Sequence, residues 1–491
     1  MTTLTRREFL ERSMIATVVG WEAHQRALLA AEARQASPAK AEGSSSPNER
    51  LGVAVIGVRG RGAAHAQIFA ARKDCQILYL CDCDRAVGPA LAEKITPRPK
   101  LVEDMRQVFD DPRVDVVSIA TPDHWHALAA IWAMQKGKDV YVEKPVSHNI
   151  REGRRMVQAM EKYRRICQAG TQHRSAGSAQ AAAQYIREGK LGKIDWIVSF
   201  MYRPRGPIGP PGEYPIPQSV NYDLWCGPAP VQIPLRRKNF HYDWHWFWDY
   251  GNGELGNNGI HAVDLARKIT GLQGLGQGVL TIGARHFQDA GQTPNSELVV
   301  HDFGEITLLQ EIRNLKTEEP PFDAVVLIRG TEGYLAATWG SAGVFDKNGK
   351  VMQKLQGKGE DHFANFLRAV RSRNPADLSA PIIEGHTSTS LTHLGKISYR
   401  LGQPASNEEI RKAVEKLPHA EDVLARWESL RKHLESHVAN EAKVGMKIWP
   451  LRLGPWLRFN SEKETFVDGP AEAAALLTRQ YRPPFVVPDE V

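Results

Sequence analysis

The sequence predicts an α/β chain, with an N-terminal doubly wound parallel sheet followed by an α+β domain built on a large, open, mostly antiparallel sheet. Three observations lead there. Short apolar runs alternate with helical patterns from residue 51 to about 168. A glycine-rich turn follows the first of those runs. Beyond residue 170 the apolar runs continue, but a helix no longer separates each from the next.

Residues 51–56 form the first strand, and a helical pattern covers 62–73. Residues 77–81 form a second strand that ends at Asp82, and 85–95 read as a helix. The next strand, 114–120, is stopped by Thr121-Pro122-Asp123, which caps a helix over 124–136. Residues 139–142 are a strand closed by Glu143-Lys144-Pro145; a helix follows over 151–163, and another strand begins at Ile166. These strands are apolar throughout, as burial on both faces requires. In the second half, runs at 196–202, 279–282, 298–300, 324–328 and 334–338 suit antiparallel pairing. Between the first two lies a Pro/Gly/Trp-rich insert, 203–256, whose aromatic density marks it as ordered and wrapped over the site. Residues 360–372 and 385–401 are helical, and 405–440 carry a charged helical pattern. The last fifty residues show no pattern that places them. The division is a leader and linker over 1–49, a nucleotide-binding domain over 50–168, a substrate and oligomerisation domain over 169–404, and an extension over 405–491.

A chain of 491 residues exceeds one ordinary core. Its formal charge of +7 is mild for this length, and basic residues alternate with acids, which argues against a nucleic-acid surface. The five cysteines are too sparse for a disulfide framework and read as small buried groups. After the N-terminus no apolar stretch is long enough for a membrane helix. The N-terminus itself carries Thr5-Arg6-Arg7-Glu8-Phe9-Leu10, then a short apolar run over 13–20 and a polar stretch to about residue 50. This resembles a twin-arginine export signal, with cleavage expected after Ala39-Lys40-Ala41. It implies a periplasmic or otherwise exported protein with no membrane anchor once the signal is removed. Glu22, His24 and Arg26 shorten the apolar run, so a cytoplasmic chain with a basic start is the alternative.

Three stretches carry chemistry. Gly57-Val58-Arg59-Gly60-Arg61-Gly62 lies between a strand and a helix, where free N–H groups and the helix dipole favour a pyrophosphate. Arg59 stands where the second glycine of G-x-G-x-x-G belongs, with Gly60 shifted by one. Asp82 can accept adenosine-ribose hydroxyls and repel a 2′-phosphate, favouring NAD over NADP, with Arg85 leaving an allowance for NADP. Glu143-Lys144-Pro145 ends a strand where the substrate crevice of such a sheet lies; an ammonium there can exchange a proton with a substrate hydroxyl. Pro145 admits a cis bond. In the third stretch, 253–264, glycines feed a helix bearing Asn257, His261 and Asp264. Asn257 and His261 are four apart and share a face. Taken singly, a strand-end lysine is usually a surface group and a helix histidine a packing one.

Together, the glycine-rich βαβ, Thr121-Pro122 with His126, Glu143-Lys144-Pro145 and Gly259-x-His261-x-x-Asp264 resemble the glucose–fructose oxidoreductase/inositol dehydrogenase (Gfo/Idh/MocA) family over about residues 50–400. The resemblance implies an NAD(P)-dependent oxidoreductase of a sugar, glycoside or polyol, with Lys144 and His261 as the catalytic pair. It implies dinucleotide contacts from Gly57, Arg59, Gly60, Arg61, Gly62, Asp82, Thr121, Pro122, His126 and Glu143, and substrate contacts from Asn257 and Asp264. It also implies a homodimer or homotetramer formed through the open sheet face. Many members carry Asp where this chain has Asn257; an amide cannot take a proton, which shifts proton transfer toward Lys144. Gln172 and Arg174, just past the domain crossover, are expected to reach the sugar. Trp246, within the aromatic run 241–248, is expected to stack on it. No metal is expected: His241, His245, His261 and Asp264 have no fixed tetrahedral spacing. Two other functions stay open, an NAD-dependent glycoside hydrolase working by transient oxidation and elimination, and a non-catalytic binding protein on a dehydrogenase fold.

Overall fold

The computed structural model describes residues 50–316, 324–441 and 445–491. The export signal and its cleavage point fall outside the described residues. Six strands form a parallel sheet: β1 (Leu51–Ile56), β2 (Cys75–Cys81), β3 (Lys100–Val102), β4 (Val116–Ile119), β5 (Asp139–Val142) and β6 (Cys167–Ala169). Their order is β3-β2-β1-β4-β5-β6, so the chain reverses direction across the sheet between β1 and β4. Along β1, Val53 and Val55 enter one apolar cluster and Ala54 and Ile56 the other, as a strand covered on both faces must. Helix α1 (Arg61–Ala70) follows β1, α2 (Asp123–Gln135) follows β4 and α3 (Ile150–Tyr163) follows β5.

The second sheet contains, among the described residues, β7 (Ile194–Tyr202), β8 (Gly278–Ala284), β9 (Ser296–Asp302), β10 (Thr307–Arg313), β11 (Val326–Gly330), β12 (Gly333–Ala337), β13 (Ala342–Phe345), β14 (Val351–Leu355), β15 (Gln403–Ala405), β16 (Leu451–Leu453), β17 (Leu457–Asn460) and β18 (Thr465–Phe466). Its pairs are antiparallel except β7 with β10. One face carries α4 (Gly177–Arg187), α5 (Ile260–Thr270) and α6 (Ile382–Leu401), packed through Ala182, Val263 and Leu394.

Three features depart from expectation. The pattern over 85–95 yields a single helical turn, Pro89–Ala92, because the backbone before it pairs with the insert instead: Arg85 N–H donates to Ser219 O at 3.0 Å. The other face of the second sheet is not bare. Ile410, Val414, Trp427, Leu430 and Leu434 of helices Asn407–Val414 and Ala420–Glu435 cover Trp196, Val198, Phe200, Leu280 and Leu309. The oligomer surface implied by the resemblance is therefore occupied by the chain's own extension. Finally, the unpatterned C-terminus ties both halves together: β16 and β17 pair with β8, while Phe485 and Val487 pack on the first-sheet cluster with Trp125.

Candidate active site

The glycine turn is built by close approach. A Cβ on Gly62 would lie 1.7 Å from the Gly57 carbonyl oxygen, and Gly57 itself has φ 76 against the Ala120 carbonyl. Gly60, at φ 53, opens α1 with nothing near its Cβ position. Arg59 and Gly60 are exposed at the mouth of a cavity of about 820 Å3, within the range of ligand sites. Gly57, Arg61, Asp82, Thr121, Pro122, His126, Glu143, Lys144, Gln172, Asn257 and His261 line the same cavity. The Asp82 carboxylate accepts the backbone N–H of Val58 at 2.9 Å and of Asp84 at 3.0 Å. Burial raises its pKa, and those two donors oppose the rise.

At the other end, Glu143 organises the wall. Its Oε1 accepts Arg61 Nε at 2.8 Å and His65 Nε2 at 3.1 Å. Burial works against its charge, but the hydrogen bond and charge of His65, then the charges of Arg61 and Lys144, outweigh it and hold the carboxyl well below the usual range. His126 joins the two loops, its ring nitrogens 2.8 Å from Thr121 O and 2.7 Å from Pro145 O. The Lys144–Pro145 bond is cis.

Lys144 Nζ donates to Asn257 O at 2.6 Å and Asn257 Oδ1 at 3.2 Å. Both acceptors are presented by a π turn, Leu255–Gly259, that precedes α5. Gly256 allows this turn to form, since a Cβ there would lie 2.4 Å from the Asn252 Cβ. Burial lowers the Lys144 pKa from its ordinary value, against the opposing charges of Glu143, Asp123 and Glu254. Burial, then the charges of Lys144 and His173, push His261 well below its ordinary value. His261 is a neutral imidazole at neutral pH.

The cavity presents polar atoms that a ligand could pair. Thr121 Oγ1, Gln172 Oε1 and His261 Nδ1 are buried polar atoms without hydrogen-bond partners among the described residues, and all three residues line it. Such atoms are rare unless a ligand or water satisfies them.

Three expected substrate contacts lie elsewhere. Arg174 and Asp264 face each other at 2.8 Å, with Glu384 3.2 Å from the guanidinium, and neither residue lines the cavity. A buried guanidinium requires carboxylate partners, so the side chains expected to meet the sugar bind one another. Trp246 is buried beneath Arg205, whose guanidinium lies 5.4 Å from the ring, and it too is absent from the lining. Trp244 and Tyr242 of the same run line the cavity instead, with His245 stacked on Trp244 at 3.6 Å. His241 joins the wall but pairs with Asp84 at 2.9 Å, and Asp264 with Arg174, so the four candidate metal ligands do not converge. Asp123 and Asn239 also line the cavity. Asp123 had a signal in the sequence, an acid directly after Thr121-Pro122, but it reads as a helix-starting residue. Asn239 had none.

The insert also clasps the nucleotide side. Asn221 N–H donates to Cys83 O at 2.8 Å, and Trp125 Nε1 donates to Leu224 O at 2.9 Å.

Two family models match the chain. The model of an oxidoreductase family with an NAD-binding Rossmann fold (GFO_IDH_MocA) covers residues 51–171, and that of the same family's C-terminal alpha/beta domain covers 210–436. The chain belongs to the Gfo/Idh/MocA oxidoreductase family. Among curated relatives, a levoglucosan dehydrogenase of Pseudarthrobacter phenanthrenivorans is 28% identical over 45% of this chain and 52% of its own length. A D-glucoside 3-dehydrogenase of Escherichia coli (strain K12) is 30% identical over 31% of this chain and 42% of its own. An alpha-N-acetylgalactosaminidase of Shewanella oneidensis is 26% identical over 30% and 34%. The chain thus spans about half or less of the length of the curated relatives it matches. Among solved structures, the WlbA dehydrogenase from Bordetella pertussis in complex with NADH and UDP-GlcNAcA superposes with TM-score 0.54 at 17% identity, over 72% of this chain and 97% of that one. At that identity the likeness is one of fold.

Proposed function

We propose that this member of the family is an NAD-dependent oxidoreductase of a secondary alcohol on a sugar, glycoside or polyol. The supporting observation is one cavity that joins a glycine turn and Asp82 at one end to Lys144 and the unpartnered Gln172 and His261 atoms at the other. The turn and the start of α1 would hold the pyrophosphate, and Asp82 the adenosine ribose, favouring NAD over NADP. The bound nicotinamide would accept a hydride from the carbinol carbon and return one to a carbonyl. Lys144 Nζ takes the hydroxyl proton in oxidation and gives it back in reduction. His261, held neutral, and Gln172 orient the hydroxyls. Trp244 and Tyr242 offer apolar faces to the sugar ring.

A pH dependence follows. Only the free amine of Lys144 can accept a proton, and its pKa is lowered from 10.5. For oxidation, kcat/KM is expected to rise about tenfold per pH unit below that lowered pKa and to level off above it. The reverse reduction, which needs the ammonium, should lose rate as pH rises through the same value. Steady-state kinetics in both directions between pH 6 and 10 check this, and matching slopes in the two directions would exclude Lys144 as the proton carrier.

We also propose export through the twin-arginine signal, with the dinucleotide carried inside. The insert closing over the nucleotide end, through His241 with Asp84 and Asn221 with Cys83, supports retention. Natively purified protein is expected to hold about one NAD per chain through exhaustive dialysis, read by mass spectrometry of released ligand. A retained cofactor suits a redox-neutral cycle, so the glycosidase reading deserves one assay: phenol release from an aryl glycoside without net NADH. A dimer or tetramer of this chain would have to use a surface other than the sheet face its extension covers, and light scattering measures its mass.

A further inference from the structure

We propose that Asp123 is a substrate-binding residue of this cavity, accepting a hydroxyl of the bound sugar, and that Asn252 and the buried Lys396 fix the direction of its carboxylate. This rests on the oxidoreductase reading above.

Asp123 opens α2 directly after Pro122, is 3% exposed, and lines the cavity with Lys144 and Thr121. Among the described residues it has no ion-pair partner. Its hydrogen-bond partner is Asn252, whose Nδ2 donates to Oδ2 at 2.9 Å. The second carboxylate oxygen has no hydrogen-bond partner among the described residues. A buried carboxylate with a vacant oxygen in a ligand cavity binds what supplies an O–H or N–H. Burial pushes its carboxyl above the usual range, against the charge of His126, the Asn252 bond and the charges of Lys144 and Lys396.

The pose of that carboxylate is set from below. Lys396 Nζ, on α6, donates to His148 O at 2.8 Å and to Asn252 Oδ1 at 2.6 Å. An amine facing two oxygens can only donate to them, so the Asn252 atom it meets must be the carbonyl oxygen. The amide of Asn252 is thereby turned toward Asp123. The two contacts enforce each other, since an ammonium requires an acceptor and a carboxylate requires a donor. Burial, with the charge of Arg400, brings Lys396 down to about 7. The lock survives this titration, because a neutral amine still has two N–H groups for its two acceptors.

Asp123→Asn is nearly isosteric yet reverses the polarity. Asn252 still needs an acceptor, so it takes the new amide's oxygen and turns the new NH2 into the cavity. An acceptor of substrate hydroxyl becomes a donor. The measurement begins with wild-type kinetics on methyl glucoside, galactoside, mannoside and myo-inositol, then on the singly deoxygenated analogues of the best of these. For the parent sugar, kcat/KM of Asp123→Asn is expected to fall about 10- to 100-fold, mostly through KM. For one deoxy analogue, the variant and wild type should be equal. The dinucleotide content of the purified variant, and NADH affinity by fluorescence titration of protein stripped of it, should be unchanged. Lys396→Met, which frees Asn252 to flip, should show a smaller loss in the same direction, also with NADH affinity intact. An undiminished kcat/KM in Asp123→Asn, a penalty equal on every deoxy analogue, or a loss of NADH affinity would each overturn the proposal; the last would assign Asp123 to the dinucleotide. Wild-type protein that carries no dinucleotide as purified, binds no added NADH and turns over none of the four compounds would instead overturn the oxidoreductase reading beneath it.

Discussion

Lys144→Met is expected to reduce kcat/KM by about a thousandfold while leaving NADH affinity within about threefold. Methionine reproduces the length and bulk of the lysine stem, so the wall keeps its shape. Glu143 retains Arg61 and His65, and the strand end that carries residue 144 is held by His126 through Pro145 O. What disappears is the group proposed to move the hydroxyl proton. The remaining candidates are poor replacements. Asn257 cannot take a proton, and His261 is a weak base because burial and the charges of Lys144 and His173 depress it. Asp123 remains as an acceptor, and the residual rate measures what it can do alone. Fluorescence titration with NADH, run beside the kinetics, separates lost chemistry from lost binding. Full turnover in Lys144→Met would mean that the reaction occurs at another site.

Why could the sequence locate this lysine but not all of its neighbours? Lys144, Asp82, Gly57 and Gly62 sit at strand ends or in the turn after a strand, where periodicity fixes both position and direction. Five of the six parallel strands were legible for the same reason, since uninterrupted apolar runs leave one reading; β3 is a three-residue, mostly exposed edge strand with no such run. The misplaced contacts, Arg174, Asp264 and Trp246, depend on partners far along the chain. Arg174 is drawn away by Asp264 and Glu384, 90 and 210 positions further along the chain, and nothing local encodes that pairing. Asp264 is held away from the cavity by Arg174 and Ser388, which both donate to its Oδ1 from 90 and 124 positions off. Trp246 and Trp244 are indistinguishable in composition; the 3-10 turn Asp243–Trp246 decides which indole meets the cavity. The covered sheet face was hidden because helices 407–414 and 420–435 look like ordinary charged surface helices until Trp427 and Leu430 are seen against β7 and β8.

Gly62→Ala is expected to weaken NADH binding by about a hundredfold or more and to lower Tm as well. The added Cβ would lie 1.7 Å from Gly57 O and 2.8 Å from Gly57 C, and these are backbone atoms that cannot rotate away. Gly57 in turn abuts the Ala120 carbonyl, so relief would have to displace β1 against β4 or lift α1 from the sheet. Either movement misaims the N–H groups at the start of α1 that receive a pyrophosphate. Gly60 supplies the contrast. Its φ of 53 with ψ −106 lies outside the left-handed region open to L side chains, so glycine is required for its backbone, although no protein atom lies within 4 Å of its Cβ position. Gly60→Ala should therefore lower Tm through backbone strain alone, about 1–2 kcal/mol and less than Gly62→Ala, and still reduce NADH affinity, because its methyl group enters the approach to the helix start. The pair of variants explains how a turn with Arg59 in the second glycine position can serve the same purpose: the conformational role has passed to Gly60, while the close approach remains with Gly62. Thermal melts and NADH titrations of both variants decide it, and a Gly62→Ala protein with wild-type affinity would show that the dinucleotide does not sit against this turn.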